Sequence, residues 1–177
     1  MGAESGSQKI LDAMDKGTRV EQIFEATRLL KAHGIHPSFF IQFGYPGETR
    51  QDILKTIDMI NTLLPYEIGI SVSYPLPGTR FYETVKTQLS EKSNWTDSDE
   101  LALMFRNTYA PAFYKQLHRY VHKSYRKHLA LDAVQTLFRS PLSLRFTRLK
   151  KAVSLLYYSP SAWIARQKLH QLETASR

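Results

Sequence analysis

The chain has 177 residues, 42% of them hydrophobic and none of them cysteine. That length suits one domain with an appendage, and that composition supports a packed core rather than a disordered chain. Without cysteine, disulfides, thiolate metal sites and cysteine nucleophiles are excluded from this chain. The formal charge of +8 is placed unevenly. Through residue 105 there are 10 Lys+Arg against 14 Asp+Glu, and from residue 106 onward 14 against 2. The split suggests two units, one over residues 1–90 and a basic one over 91–177. No apolar run approaches the ~18 residues of a membrane span. Residues 1–7 show neither a basic n-region nor an apolar h-region, so the expected compartment is the cytoplasm.

In chain order, Ser7 to Asp15 has helical spacing (Ile10, Leu11, Met14) and stops at Gly17. Thr18 to Glu21 reads as a capping box opening a helix with Ile23, Ala26, Leu29 and Leu30 on its inner face. Ser38 to Phe43 is short, apolar and rich in β formers, as a buried parallel strand should be. Thr49-Arg50-Gln51-Asp52 opens another helix, with Ile53, Ile57, Ile60 and Leu64 facing inward and Pro65 closing it. Glu67 to Tyr74 alternates as a strand, and Thr79 opens a helix carrying Phe81, Val85 and Leu89. The order α, α, β, α, β, α implies βαβ units and a parallel sheet. Residues 90–100 are polar around Trp95, and Thr96 to Asp99 can cap a helix near Glu100. A long helix is expected from Pro111 to about Phe138, with Phe113, Leu117, Val121 and Tyr125 on one face. Ser140-Pro141 and Ser159-Pro160 each suggest a further helix start, giving helices at about 141–157 and 160–172.

Three glycine-bearing segments fall at strand-to-helix turns: Gly2 to Ser7, Phe43 to Thr49, and Tyr74 to Thr79. In parallel α/β folds ligand sites form at the carboxyl ends of the strands. Glycine lets the backbone approach a ligand closely, and a carboxylate with hydroxyls beside it can bond an amine or a ribose. The local alternatives are simpler. Ser5 to Gln8 matches a capping box, and Pro46-Gly47 and Pro77-Gly78 are ordinary turn dipeptides. Three such loops on successive βα units would all face one end of the sheet, which favours a shared site. His118 and His122 have metal-ligand spacing, but no acidic or third ligand stands near them in sequence, so no metal or catalytic residue is assigned.

The run Gly2-Ala3-Glu4-Ser5-Gly6-Ser7-Gln8-Lys9-Ile10-Leu11-Asp12 resembles the fourth-strand turn of radical S-adenosylmethionine (SAM) enzymes that carry a cobalamin-binding domain upstream. That group includes the anaerobic magnesium-protoporphyrin monomethyl ester cyclase and several methyltransferases. Gln42 to Thr49 resembles the fifth-strand turn of the group, Tyr74 to Thr79 the sixth, and Trp95 to Tyr109 the segment after the barrel. The resemblance spans about residues 1–128. It implies an α/β fold: the C-terminal part of a partial (β/α) radical SAM barrel followed by a helical extension. It further implies that Glu4 and Ser5, beside Gly2 and Ala3, reach the ribose or amino-acid end of SAM. By the same resemblance Gln42, Phe43 and Gly44, with Tyr74 and Pro75, line the adenine pocket.

In such enzymes a 4Fe-4S cluster cleaves SAM reductively to a 5′-deoxyadenosyl radical, and the cofactor carries the hard chemistry. The three-cysteine loop, the first barrel strands and a cobalamin domain have no counterpart in these residues, so the cluster ligands lie outside the chain. The expected partners are therefore a missing N-terminal part of the enzyme, SAM, a cobalamin held elsewhere, and a large hydrophobic small-molecule substrate that is oxidatively cyclised or methylated. The chain alone is expected to be inactive. The basic C-terminal half has three readings: solvated helix faces, a peripheral membrane contact, or nucleic acid, for which no recognised motif is present. The rival reading of the whole is a non-catalytic basic helical module that binds a membrane or a partner protein.

Overall fold

The computed structural model describes residues 1–89, 105, 107–139 and 146–175. Three strands, β1 (Gly2–Glu4), β2 (Phe39–Phe43) and β3 (Ile68–Val72), form a parallel sheet in the order β1-β2-β3. Between them run α1 (Gln8–Ala13), α2 (Val20–Ala32) and α3 (Arg50–Leu63), and β3 is followed by α4 (Arg80–Val85) and a 3-10 turn over Lys86–Gln88. The basic half supplies α5 (Pro111–Arg139), α6 (Phe146–Val153) and α7 (Leu155–Ala175). The fold is α/β, a partial barrel of βα units followed by a helical extension. The capping segment at Thr96–Asp99 and the start at Ser140-Pro141 lie outside the described residues.

The strands form because alternate residues can be buried on the helix side. Phe39, Ile41 and Phe43 pair in register with Ile68, Ile70 and Val72. Five of these six belong to one buried cluster with Ile23 of α2, Ile53, Ile57 and Ile60 of α3, and Phe113, Leu117 and Val121 of α5; Ile70 packs against it half-buried. The long basic helix thus shares the core of the α/β half instead of standing apart from it. Tyr125 fixes the depth of α5, its hydroxyl donating to the carbonyls of Pro65 (2.6 Å) and Tyr66 (2.9 Å) where α3 hands over to β3. The inner faces expected for α3 and α5 are observed, except that Leu64 is the half-buried cap of α3 in a left-handed conformation (φ 42°).

Several local expectations are corrected. Helix α1 is capped at Ser7, not Ser5; the Gln8 side chain instead accepts from Val20 N–H (3.0 Å) and donates to Asp12 and Thr18. Helix α2 begins one residue later than the Thr18 box predicts, because Gln22 Oε1 takes the Arg19 N–H (2.8 Å). Its buried stripe is Ile23 and Thr27, and Leu29 faces solvent. Strand β2 is buried on one side only: Phe40 is 61% exposed, since no described layer covers the opposite face of the sheet. Leu89 lies just beyond the 3-10 turn. Pro160 does not start a helix, because the helix boundary falls earlier, at Ser154, where Tyr157 and Tyr158 N–H return to the Ser154 carbonyl. Helix α7 therefore encloses Pro160, which leaves the Leu156 carbonyl without its helical donor.

Candidate functional site

Glu4 at the end of β1, Gln42 near the end of β2 and Tyr74 after β3 open onto one cleft of about 780 Å³ at the carboxyl edge of the sheet. Helix α1 and its C-terminal turn add Asp12, Asp15 and Lys16, and α4 adds Arg80 and Thr84. Tyr45 closes one wall. Its hydroxyl donates to the Ala13 carbonyl (2.8 Å), its ring lies 4.8 Å from Phe81, and Phe81 in turn meets Phe105 edge-on. Glu4, Asp12 and Asp15 line this space with Lys16 and Arg80, so carboxylates outnumber cations in the described lining. A cationic or zwitterionic ligand suits that balance.

Glu4 is the most constrained of these residues. It sits in the left-handed region (φ 55°), which costs a side-chain-bearing residue about 1–3 kcal/mol and persists only where surroundings enforce it. Its Oε1 accepts from Lys16 Nζ (3.0 Å), while its Oε2 is buried and has no partner. Gly2 makes room for this arrangement, since a Cβ there would stand 2.6 Å from Glu4 Oε1.

Of the nine residues expected at a cofactor, Glu4, Gln42 and Tyr74 line the cleft. Gly2 lies beneath Glu4, and Ala3 is buried on the helix side of β1. Ser5 is fully buried, its hydroxyl 3.1 Å from Thr56 Oγ1 of α3 and accepting from Ser7 N–H. Phe43 and Pro75 are buried, and the Phe43 carbonyl accepts from Ser73 N–H. The Gly44 N–H donates to Glu48 Oε2 (2.6 Å) and the Gly44 carbonyl accepts from Asn107 Nδ2, so both polar groups of this backbone unit are spent inside the protein.

Two polar clusters adjoin these turns, and of them only the Thr49–Asp52 box is legible in the sequence. Asp52 accepts from Ser7 Oγ (2.6 Å), Lys9 Nζ (3.1 Å) and both Thr49 N–H and Oγ1 (2.9 and 2.6 Å), completing the capping box of α3. Burial alone would raise its pKa, but these donors outweigh it and hold the carboxyl well below the usual carboxylate range. Glu48 lies just before the cap of α3, 1% exposed, clasping Gly44 with one oxygen and leaving Oε1 buried without a partner. Burial pushes its carboxyl up to about 8, the Gly44 N–H pulling against it and the Asp52 charge adding to it. Asn107 and Thr108, at the entry to α5, bind the same loop: Tyr114 OH donates to Asn107 (3.0 Å) and Thr108 Oγ1 to the Glu48 carbonyl (3.0 Å). Glu48 had only its place in a Pro-Gly turn to mark it, and no local pattern announces a partner 60 residues away.

Among the described residues no group of three or more His, Asp or Glu is placed to hold a metal ion. The His118 and His122 rings lie 4.5 Å apart, and burial, with His118 and Arg126 beside it, lowers His122 to about 4.

Residues 1–60 match the family model of the radical SAM superfamily. Curated relatives are similar over about half of the chain. The chain is 35% identical to a putative methylthiotransferase of Methanocaldococcus jannaschii over 92 residues, 52% of this chain and 20% of the relative. It is 32% identical to an uncharacterized methyltransferase of Pyrococcus horikoshii over 95 residues, 53% and 21% of the two chains. It is 34% identical to a tRNA-2-methylthio-N(6)-dimethylallyladenosine synthase of Sulfurihydrogenibium over 92 residues, 50% and 21%. The chain therefore spans about a fifth of the length of the curated relatives it matches. The matched superfamily is named for SAM chemistry.

Proposed function

We propose that this chain is the SAM-facing C-terminal portion of a radical SAM enzyme and that Glu4 is its principal cofactor contact. The observation that supports this most is the buried, unpartnered Glu4 Oε2 at the mouth of the strands, held there by a left-handed backbone over a side-chain-free Gly2. An orphaned carboxylate oxygen costs free energy unless a donor arrives. The ammonium or ribose hydroxyls of SAM are such donors, and the carboxylate-rich lining suits its positive charge. SAM supplies the source of radical or methyl chemistry when bound; these residues orient it, and Tyr45, Phe81 and Tyr74 wall it in. The donor set does not fit the cluster, because the chain has no thiolate to offer. Methylthio or methyl transfer is favoured over oxidative cyclisation by the names of the relatives. A cobalamin-linked route and a large hydrophobic substrate rest on the sequence resemblance alone.

The test is SAM binding to the full 177-residue chain by calorimetry. Glu4→Gln should weaken binding roughly ten- to a hundredfold, the worth of about 1.5–3 kcal/mol for a hydrogen bond to a charged group. Gly2→Ala, which pushes on the same carboxylate, should weaken it too. Affinity equal to that of the parent chain in both variants, with unchanged circular dichroism, would remove Glu4 from the site.

A further inference from the structure

Half of the large hydrophobic side chains exposed among the described residues fall within residues 138–164. On α6, Phe146, Leu149 and Val153 recur at i, i+3 and i+7, and Leu156, Trp163 and Ile164 continue the exposed set into α7. Phe146 is 82%, Leu156 80% and Trp163 63% exposed, far more than a soluble helix normally leaves to water in one place. From residue 133 to residue 172 the sequence has no Asp or Glu, whereas Arg148, Lys150, Lys151, Arg166 and Lys168 lie on these two helices.

Round the side of α6 from the apolar stripe, Lys150 and Lys151 join His122, Arg126 and Tyr158 in lining a cleft of about 730 Å³. Arg126 Nη1 donates to Tyr158 OH (3.0 Å), which fixes the guanidinium at the rim. Glu67 is the one carboxylate in that lining. An apolar stripe bordered by cations, with Tyr157 and Trp163 as amphipathic rings, has the chemistry of a helix lying in a bilayer interface. No helix among the described residues is long and apolar enough to cross a membrane.

We propose that α6 and the first half of α7 form a docking surface for an anionic lipid bilayer. The Phe146–Ile164 stripe enters the acyl boundary, and Lys150, Lys151 and Arg126 meet lipid headgroup phosphates. Charge complementarity selects this occupant. A second copy of the chain would bring the same cation-rich face against itself, with Glu67 the single carboxylate in the described lining to oppose it, and a purely electrostatic RNA contact would leave the exposed Phe146, Leu156 and Trp163 unused.

Co-sedimentation of the full chain with vesicles tests it. Vesicles of mixed phosphatidylglycerol and phosphatidylcholine should bind, and pure phosphatidylcholine vesicles should bind far less. Raising salt from 50 to 500 mM should release the protein. Each cation near an anionic leaflet contributes about fivefold in partitioning, so Lys150→Glu with Lys151→Glu should weaken binding at least about twentyfold. Leu156→Ser, at an exposed position that leaves folding intact, should weaken it as well. In a Trp95→Phe background, the fluorescence of Trp163 should be quenched by lipids brominated near the headgroup end of the acyl chain. Three results overturn the proposal: no vesicle binding at low salt; binding without Trp163 quenching, which means charge adhesion alone; or a concentration-dependent dimer that shields Trp163 and ignores vesicles. Binding of tRNA with no response to vesicles likewise assigns the face to nucleic acid.

Discussion

Glu48 and Asp52 are four residues apart and respond to pH in opposite directions. The Glu48 carboxyl titrates near 8 when folded and near the ordinary carboxylate value when unfolded. The unfolded chain therefore binds fewer protons between those values, and stability falls as pH rises through that window. Glu48→Gln retains an acceptor for Gly44 N–H and removes the titration. The variant should match the parent chain at pH 5 and exceed it by a few kcal/mol, about 2–4, at pH 8.5 in urea denaturation. An equal loss at both pH values would show that the charge at Glu48 is immaterial. For Asp52 the folded carboxyl lies below its unfolded value, so its stabilisation is complete at neutral pH and is lost as pH falls through the acid range. Asp52→Asn should accordingly cost about 2–3 kcal/mol at pH 7, and that cost should begin to shrink only as pH falls below about 4, with most of it persisting at pH 3. The pattern Thr49-x-x-Asp52 made the capping box legible in the sequence. The donors Ser7 and Lys9, more than 40 residues away, could not be read from it, because only the fold brings α1 against α3.

At the scale of elements, packing of α1 and its preceding turn on α3 depends on one close approach. A Cβ on Gly6 would stand 2.5 Å from the Lys55 carbonyl oxygen and 2.8 Å from Thr56 Cα, both backbone atoms that cannot swing aside. Gly6 N–H also donates to Thr56 Oγ1 (2.9 Å). Gly6→Ala should therefore destabilise by about 2–3 kcal/mol through overpacking, and the cleft at the carboxyl edge of the sheet should open with it, since Glu4 is two residues away. Gly69 in β3 is the contrast. A Cβ there would meet the Phe40 ring across the strand pair at 3.5 Å, an ordinary contact, so Gly69→Ala should be neutral or add up to about 1 kcal/mol by stiffening the unfolded chain. Thermal melts of the two variants side by side check both signs. Element types were legible wherever hydrophobic periodicity was strong, as in α3 and α5. Element ends were not. The starts of α2 and α7 are set by a back-reaching side chain and by a turn, Gln22 reaching back to Arg19 and the turn at Ser154 preceding Pro160.

For the molecule as a whole, the governing fact is a parallel sheet that the described residues cover on one side. Parallel sheets are ordinarily buried on both faces. Here α2, α3 and α5 cover one face through Phe39, Ile41 and Phe43, while Phe40 projects from the other beside the side-chain-free Gly69. In a closed barrel that second face is the interior. In this three-stranded sheet β1 and β3 are both outer strands, so their outward backbone groups are also available for pairing. The chain on its own should consequently self-associate through the sheet as concentration rises, independently of the α6–α7 surface. Sedimentation velocity over a hundredfold concentration range should show a growing dimer or larger species. Hydrogen exchange should then slow at the β3 amides and remain unchanged along α7. Removing the exposed ring by Phe40→Ser should weaken association roughly thirtyfold, the equivalent of about 2 kcal/mol of apolar burial. It should leave the thermal midpoint nearly unchanged, because Phe40 contributes little to the covered core. A monomer across the whole range, with a cooperative melt, would mean that the open sheet face carries no drive to associate. The basic half would then suffice to make a stable domain of what resembles part of a barrel.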